Sequence, residues 1–147
     1  MQISSRFSLS VHILLCIDHF SKNVKVTSEF LAGSTNVNPV IVRNILGQLR
    51  KSGIVKVSRG TGGAEVAKPL NEITLLDLYK SVECVEKGEL FSFHENPNAL
   101  CPVGKNIHNV LDSKLDDVQK AMEQELSKVT IEDLKEDLDS ILIKKDN

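Results

Sequence analysis

The clearest pattern in the chain is a stripe of apolar residues that repeats with helical spacing between a proline and a glycine. Asn38 and Pro39 are typical of a helix start, and Gly53 is typical of the left-handed residue that follows a helix end. We therefore predict a helix from Pro39 to Ser52. Its predicted buried positions share one face: Val42, Ile45, Leu46 and Leu49.

Two further helices are predicted upstream of this element. The segment from Ser8 to Ser21 is apolar on several faces, which is typical of a helix buried over much of its surface. A shorter helix is predicted to begin at Thr27 or Ser28, either of which can cap it, and to be broken by Gly33. This short helix and the Pro39 helix are close enough in sequence to form a helix-turn-helix.

A hairpin is predicted directly after the Pro39 helix. Two short alternating segments, 54–58 and 64–68, flank the sequence R-G-T-G-G, whose glycines permit the backbone angles of a tight turn. Two helices followed by such a hairpin have the order of a winged helix-turn-helix. That unit presents its second helix to the major groove of DNA and its hairpin beside it.

The second half of the chain is predicted to contain three more helices. Thr74, with Asp77 three residues later, is typical of a capped helix that runs to about Val82. Residues 83–102 have no period and are predicted to be a loop. A long helix follows from about Val103 to Lys128. Its apolar positions recur every three or four residues: Ile107, Leu111, Leu115, Val118, Met122 and Leu126.

The last predicted helix is capped by Thr130, and residues 144–147 are predicted to be a frayed tail. The fold class is therefore mainly α, a winged helix-turn-helix with a two-stranded β wing and a long C-terminal dimerisation helix. We divide the chain into a winged helix-turn-helix domain (1–82), a loop (83–102), and the dimerisation and C-terminal helices (103–147). Alternatively, the stripe on the long helix packs only within its own chain.

Charge is distributed unevenly between the two halves. Residues 1–68 contain nine Lys/Arg against three Asp/Glu, whereas residues 69–147 contain nine against seventeen. The first half therefore suits contact with phosphates, and the acidic half is better placed facing solvent or a second subunit. The longest apolar run is too short to span a membrane, and three cysteines without a repeated CxxC pattern favour reduced thiols. We expect a cytoplasmic protein.

Several side chains on the predicted reading surface suit DNA. Asn44 can pair with adenine and Arg43 with guanine, and Val40 or Ile41 can touch thymine methyl groups. Alternatively, Arg43 contacts only phosphate, and the two apolar residues pack within the fold. Arg59 lies at the predicted hairpin tip, within reach of phosphate or the minor groove. The complete candidate set is Thr27, Ser28, Pro39, Val40, Ile41, Arg43, Asn44, Gln48, Arg50, Lys51, Arg59 and Thr61.

No pattern typical of an enzyme is present. The sequence lacks a paired nucleophile and base, and R-G-T-G-G lacks the strand-to-helix setting and the lysine of a nucleotide-binding loop. Two other kinds of protein remain as alternatives. The first is a protein-interaction module whose winged helix has lost DNA contact. The second is a regulator that responds to a thiol, a metal or an iron-sulfur cluster.

Three motifs resemble the Rrf-two family of bacterial regulators, of the IscR and NsrR type. They are L-R-K-S-G-I-V, S-R-G-T-G-G and E-I-T-L-L-D-L, and the likeness extends from S-S-R-F near the start to T-I-E-D-L near the end. The resemblance implies a homodimeric transcription factor, usually a repressor, that binds an inverted-repeat operator. It also implies that the long helix crosses its partner. Residues that match the family's DNA face are Pro39, Val40, Ile41, Arg43, Asn44 and Arg59.

The cysteine pattern departs from the cluster-binding members of that family. Those members have three closely spaced cysteines before the long helix, whereas this chain has only Cys101 there, and so is similar to the YwnA-like branch. We expect no iron-sulfur cluster, no metal and no other cofactor. Ligation would require His94, His108 or residues of a partner subunit. Cys101 is a candidate redox thiol because a helix should begin beside it, and an inert thiol is the alternative. The sequence leaves open whether a small molecule or a protein acts as an effector.

Overall fold

The computed structural model describes residues 4–58, 62–82 and 90–146. Within them the chain is mainly α-helical, with one two-stranded antiparallel sheet, so the predicted fold class is confirmed. The elements are α1 (Ser5–Phe20), α2 (Ser28–Thr35), α3 (Pro39–Lys51), β1 (Val55–Val57), β2 (Ala64–Val66), a single 3₁₀ turn (Leu70–Glu72), α4 (Leu75–Val82), α5 (Pro102–Lys128) and α6 (Ile131–Asp146).

The core forms around α1, which is buried along much of its length. Ile13, Leu14 and Ile17 are fully buried there, as the apolar composition of this segment predicts. The helix begins at Ser5, earlier than predicted, because Ser4 caps it by accepting a hydrogen bond from the Arg6 amide at 3.1 Å. Helices α2, α3 and α4 and the hairpin pack around this centre.

Helix α2 differs from its prediction at the C-terminal end. Gly33 does not break it. The helix continues to Thr35 and ends at Asn36, which adopts the left-handed conformation with φ of 59°. Glycine in a helix costs only about 1 kcal/mol, and the burial of Leu31 on this helix offsets that cost. Of the two predicted caps, Thr27 is the one used, accepting from the Phe30 amide at 3.1 Å.

Helix α3 begins at the predicted residue and ends one residue before the predicted end. The Asn38 side chain accepts from the Val40 amide at 2.8 Å, Pro39 occupies the first turn, and Gly53 has φ of +75°. The helix ends at Lys51, and Ser52 is its cap. All four residues of the predicted stripe are buried, which fixes the opposite face toward solvent.

The wing is held against the turn that follows α1. Strands β1 and β2 pair with Lys56 opposite Glu65, and the Ala64 amide donates to the Val26 carbonyl at 2.9 Å. The approach requires glycine at position 63, because a Cβ there would lie 2.4 Å from the Val26 amide nitrogen. The predicted hairpin is therefore present. Its tip, residues 59–61, lies outside the described residues.

Two capping boxes lie side by side at the starts of α4 and α6. Thr74 and Asp77 exchange hydrogen bonds of 2.9 and 3.1 Å, and Thr130 and Asp133 do the same at equal distances. A β-bridge joins Thr74 to Thr130. This pairing docks α6 on the core, where Ile131 is fully buried.

The C-terminal end of α6 corrects a further prediction. Lys144 and Lys145 are helical rather than frayed, since α6 continues to Asp146. Basic residues in the last turn favour this extension because they complement the negative end of the helix dipole. Before α5, the described part of the predicted loop, 90–101, has no regular secondary structure.

Candidate DNA-binding and dimerisation surfaces

The solvent face of α3 brings together the residues predicted to read bases. Arg43 and Asn44 are exposed, and Val40 and Ile41 are exposed by 53% and 41%. These two apolar side chains are adjacent in sequence and form a small exposed patch, which is a type of surface that a binding partner covers. Helix α3 contains no acidic residue, so the face that it presents is neutral or basic.

Arg43 is held by an ion pair with the preceding helix. Its Nη1 atom lies 3.3 Å from Glu29 Oε1, and both side chains are more than half exposed, by 52% and 72%. An exposed pair of this kind contributes only about 0–1 kcal/mol. Arg43 is therefore free to exchange Glu29 for a base or a phosphate at little cost.

Gln48 occupies a different environment from its neighbours on α3. It is half-buried, and its Oε1 atom accepts a hydrogen bond from Arg6 Nη2 at the start of α1. Arg6 thus orients Gln48 and brings a positive charge beside α3. No local pattern could indicate Arg6 in this role, because the two residues are 42 positions apart.

The remaining described candidates border α3. Arg50 and Lys51 are exposed in its last turn, and Pro39 is half-buried in its first. Thr27 uses its hydroxyl to cap α2, beside the half-buried Ser28. The two wing-tip candidates, Arg59 and Thr61, lie outside the described residues.

Sequence reasoning missed two basic residues near the wing. Lys56 lies on β1 and is exposed, 3.5 Å from Glu65 on the facing strand. Lys25 precedes Val26, the residue to which the wing is bound, and is also exposed. The alternation of β1 could have indicated Lys56 as an outward-facing residue. Both are exposed near the hairpin and are candidate phosphate contacts.

Helix α5 leaves apolar surface uncovered in the single chain. It packs on α4, yet none of its 27 residues is buried in the described structure. Four of the predicted interface residues are half-buried, namely Ile107, Leu111, Leu115 and Met122, and Val118 is 52% exposed. The apolar stripe predicted from the sequence did not include Val103 and Val110, which are 68% and 65% exposed. These two residues are seven positions apart and therefore lie on the same face of the helix.

The described residues do not supply a ligand set for iron or a cluster. Cys16 is buried in the core, and Cys101 is exposed at the start of α5. The rings of His94 and His108 lie 5.3 Å apart, but no group of three metal-ligating side chains forms among the residues that the structure describes. Cys84 lies outside those residues. The absence of a cofactor stays a prediction.

Cys101 has an environment that favours its thiolate. The backbone N–H of Gly104, and next that of Val103, lower the pKa of the Cys101 thiol from its ordinary value, against a small opposing effect of desolvation. This arrangement follows from the position of Cys101 as the residue that precedes α5. Gly104 is fitted closely here, since a Cβ would lie 2.6 Å from the Asn98 carbonyl oxygen.

Helix α2, a tight turn, helix α3 and an adjacent hairpin define a winged helix-turn-helix protein. The chain belongs to the Rrf2 family, described as an iron-dependent transcriptional regulator, whose sequence model matches residues 3–137. Its family and relatives are transcriptional regulators and not enzymes. Among the described residues, no helix has both the length and the apolar character needed to cross a membrane.

Individual relatives support this assignment. The chain is 43% identical over 132 residues to the Bacillus subtilis "putative HTH-type transcriptional regulator YwnA", covering 90% of this chain and 96% of the relative. A crystal structure of a "putative DNA binding protein" is 37% identical and superposes with a TM-score of 0.72, covering 88% of this chain and 98% of the other. IscR of T. potens shares the fold at 20% identity, with a TM-score of 0.68 and coverage of 94% and 88%.

Proposed function

We propose that the protein is a homodimeric transcriptional repressor that binds an inverted-repeat operator in double-stranded DNA. The observation that carries the proposal is the outward face of α3, where Arg43 and Asn44 lie beside two exposed apolar residues on a helix without acidic side chains. In a helix-turn-helix, this face enters the major groove. Two copies related by a twofold axis then read two half-sites, and occupation of the operator blocks transcription.

The roles of the individual residues follow from their chemistry. Asn44 pairs with adenine, Arg43 leaves Glu29 to pair with guanine, and Val40 and Ile41 contact thymine methyl groups. Basic residues around this face bind phosphate and fix the register without reading sequence. These are Arg50, Lys51, Lys25 and Lys56, and Arg59 is expected to join them from the wing.

The experiment begins by selecting bound sequences from a random DNA library, which defines the operator. Asn44→Ala should relax the preference at one position per half-site, at a discrimination cost of about 1–3 kcal/mol. Arg50→Ala is the matched control on the same helix. It should weaken binding uniformly across sequences and reduce the salt slope by about 1. An Asn44→Ala protein with unchanged base preference would refute the assigned reading role.

Repression is tested separately from binding. A reporter gene placed behind the selected operator should be silenced by the wild-type protein and released by Asn44→Ala at equal protein levels. Increased expression with wild type would instead identify an activator. Failure to select any DNA sequence would favour a protein-interaction module.

A second candidate function is thiol sensing, which the lowered pKa of Cys101 favours. Because the thiolate is the reactive form, alkylation of Cys101 in the folded protein should reach half-maximal rate at a lower pH than in urea. Peptide mapping separates Cys101 from Cys16 and Cys84. If oxidant lowers operator affinity equally in wild type and Cys101→Ser, this thiol is not the sensor.

A further inference from the structure

A groove on the outer side of α1 is not used by the proposed DNA or dimer surfaces. It has a volume of about 520 Å³ and lies between α1, the last turn of α2 and the C-terminal half of α6. Its apolar lining includes Val11 and Leu15 of α1 and Leu138 and Leu142 of α6. Ligand sites of small molecules are concave, mainly apolar and about 300–1,000 Å³ in volume. The groove has the size and lining of such a site.

A few polar side chains also line this apolar groove. His12 Nε2 and Ser34 Oγ form a hydrogen bond of 2.9 Å that joins α1 to α2. Phe20, at the other end, packs edge-to-face on His19 and on Phe30, with ring centroids 4.7 and 5.2 Å apart. The groove therefore offers hydrogen-bond donors together with an aromatic wall.

The charge of the groove differs from that of the helix that forms one wall. Helix α6 contains five acidic residues between Glu132 and Asp139, yet no carboxylate lines the groove among the described residues. Asp18 of α1 is paired with Lys135 at 3.5 Å. An anionic group can therefore enter the groove without meeting an unpaired carboxylate, and the imidazoles and hydroxyls can donate to it.

We propose that this groove binds a small aromatic acid. The ring system lies against Leu15, Leu138 and Leu142, and the acid group replaces Ser34 or His12 as a hydrogen-bond partner. The apolar walls favour a ligand with two fused aromatic rings, because the rings are removed from water when they contact these walls. A cationic ligand would gain no carboxylate partner in this groove.

Binding at this position also reaches the DNA-binding helices, an extension that rests on the proposed function. Ser34 lies two residues before Asn36, the left-handed residue that turns the chain from α2 into α3. An acid group between His12 and Ser34 separates α1 from α2 and shifts α3 relative to the core. The ligand consequently lowers operator affinity, because the two reading helices no longer match their half-sites.

The test uses 8-anilinonaphthalene-1-sulfonate as the fluorescent probe and 1-naphthoate as the competitor, both with the full-length protein. The expected result is saturable binding of one probe per chain, displaced by naphthoate and not by 1-naphthylmethylammonium. Leu142→Glu places a carboxylate in the groove and should weaken probe binding by about tenfold or more. Ile143→Glu is the matched control, since Ile143 is 62% exposed and does not line the groove.

Three results of the probe-binding experiment would contradict part or all of the proposal. Equal probe binding by Leu142→Glu and Ile143→Glu, with both proteins folded by circular dichroism, overturns it. Absence of saturable binding to wild type also overturns it, and dissociation of the dimer by Leu142→Glu alone would then assign the groove to a second copy. Probe binding without any change in operator affinity retains the ligand site and refutes only its coupling to DNA.

Discussion

At the scale of single residues, the ion pair between Glu29 and Arg43 sets the electrostatics of the reading face. Its carboxylate is 72% exposed and lies on the side of α2 that faces α3. DNA approaching Arg43 meets this negative charge before it can form its own contact. Glu29 is therefore expected to lower operator affinity by competing with DNA for Arg43, while it keeps Arg43 oriented in the free protein.

Glu29→Gln should increase operator affinity by up to about fivefold, because an exposed ion pair is worth about 0–1 kcal/mol. Fluorescence anisotropy with labelled operator measures the change. Glu136→Gln on α6 is the control for loss of one negative charge away from α3. The increase should disappear in an Arg43→Ala background, and an increase that persists there would show that Glu29 acts without Arg43.

At the scale of secondary-structure elements, Gly33 and Gly63 differ in whether the fold requires glycine at that position. A Cβ on Gly33 would contact nothing within 4 Å in α2, whereas a Cβ on Gly63 would collide with the backbone of Lys25 and Val26. Only the second position requires glycine. The wing cannot approach the α1–α2 connection with any other residue there.

Gly33→Ala should therefore raise the free energy of unfolding by about 0.5–1 kcal/mol, as expected for alanine in a helix. Gly63→Ala should lower it by about 1–3 kcal/mol, through a steric clash with rigid backbone. Urea denaturation followed by circular dichroism measures both. A destabilising Gly33→Ala would contradict the open space that surrounds this position in α2.

The elements differ in how far their sequence predicts them. Helix α3 was predictable because its start, stop and buried stripe are local signals, carried by Pro39, Gly53 and four apolar residues. The end of α2 was not, because burial of Leu31 decides it through tertiary contacts. The hydrogen bond between Arg6 and Gln48 and the bridge between Thr74 and Thr130 join distant segments, and no local pattern indicates them.

At the scale of the whole molecule, the unequal charge of the two halves favours one orientation on DNA. The basic first half contains α1, α2, α3 and the wing, while most of the acidic residues lie on α5 and α6. A dimer formed through α5 places the two acidic halves together and away from phosphate. In the proposed dimer, we expect the two copies of α3 to lie on one face.

Helix α5 allows this arrangement to be tested without disturbing the core. Leu115 is half-buried against its own chain, so a charge there would unfold the monomer as readily as it would split a dimer. Val118 is 52% exposed and avoids this ambiguity. Asn109, nine residues earlier, lies on the opposite face of the helix and is also exposed, which makes it a suitable control position.

Val118→Asp should convert the protein to folded monomers, because an unpaired carboxylate would be buried between the two copies of α5. Sedimentation velocity measures the mass, and urea denaturation confirms the fold. Asn109→Asp should remain dimeric. Loss of the dimer should also reduce affinity for the two-half-site operator by about 100-fold or more, while affinity for a single half-site changes little, since only the linked pair gains from bivalent binding. A Val118→Asp protein that is folded, dimeric and fully active on the operator would place the dimer contact on another surface. Val110→Asp, on the neighbouring exposed face of α5, would then be the next substitution to examine.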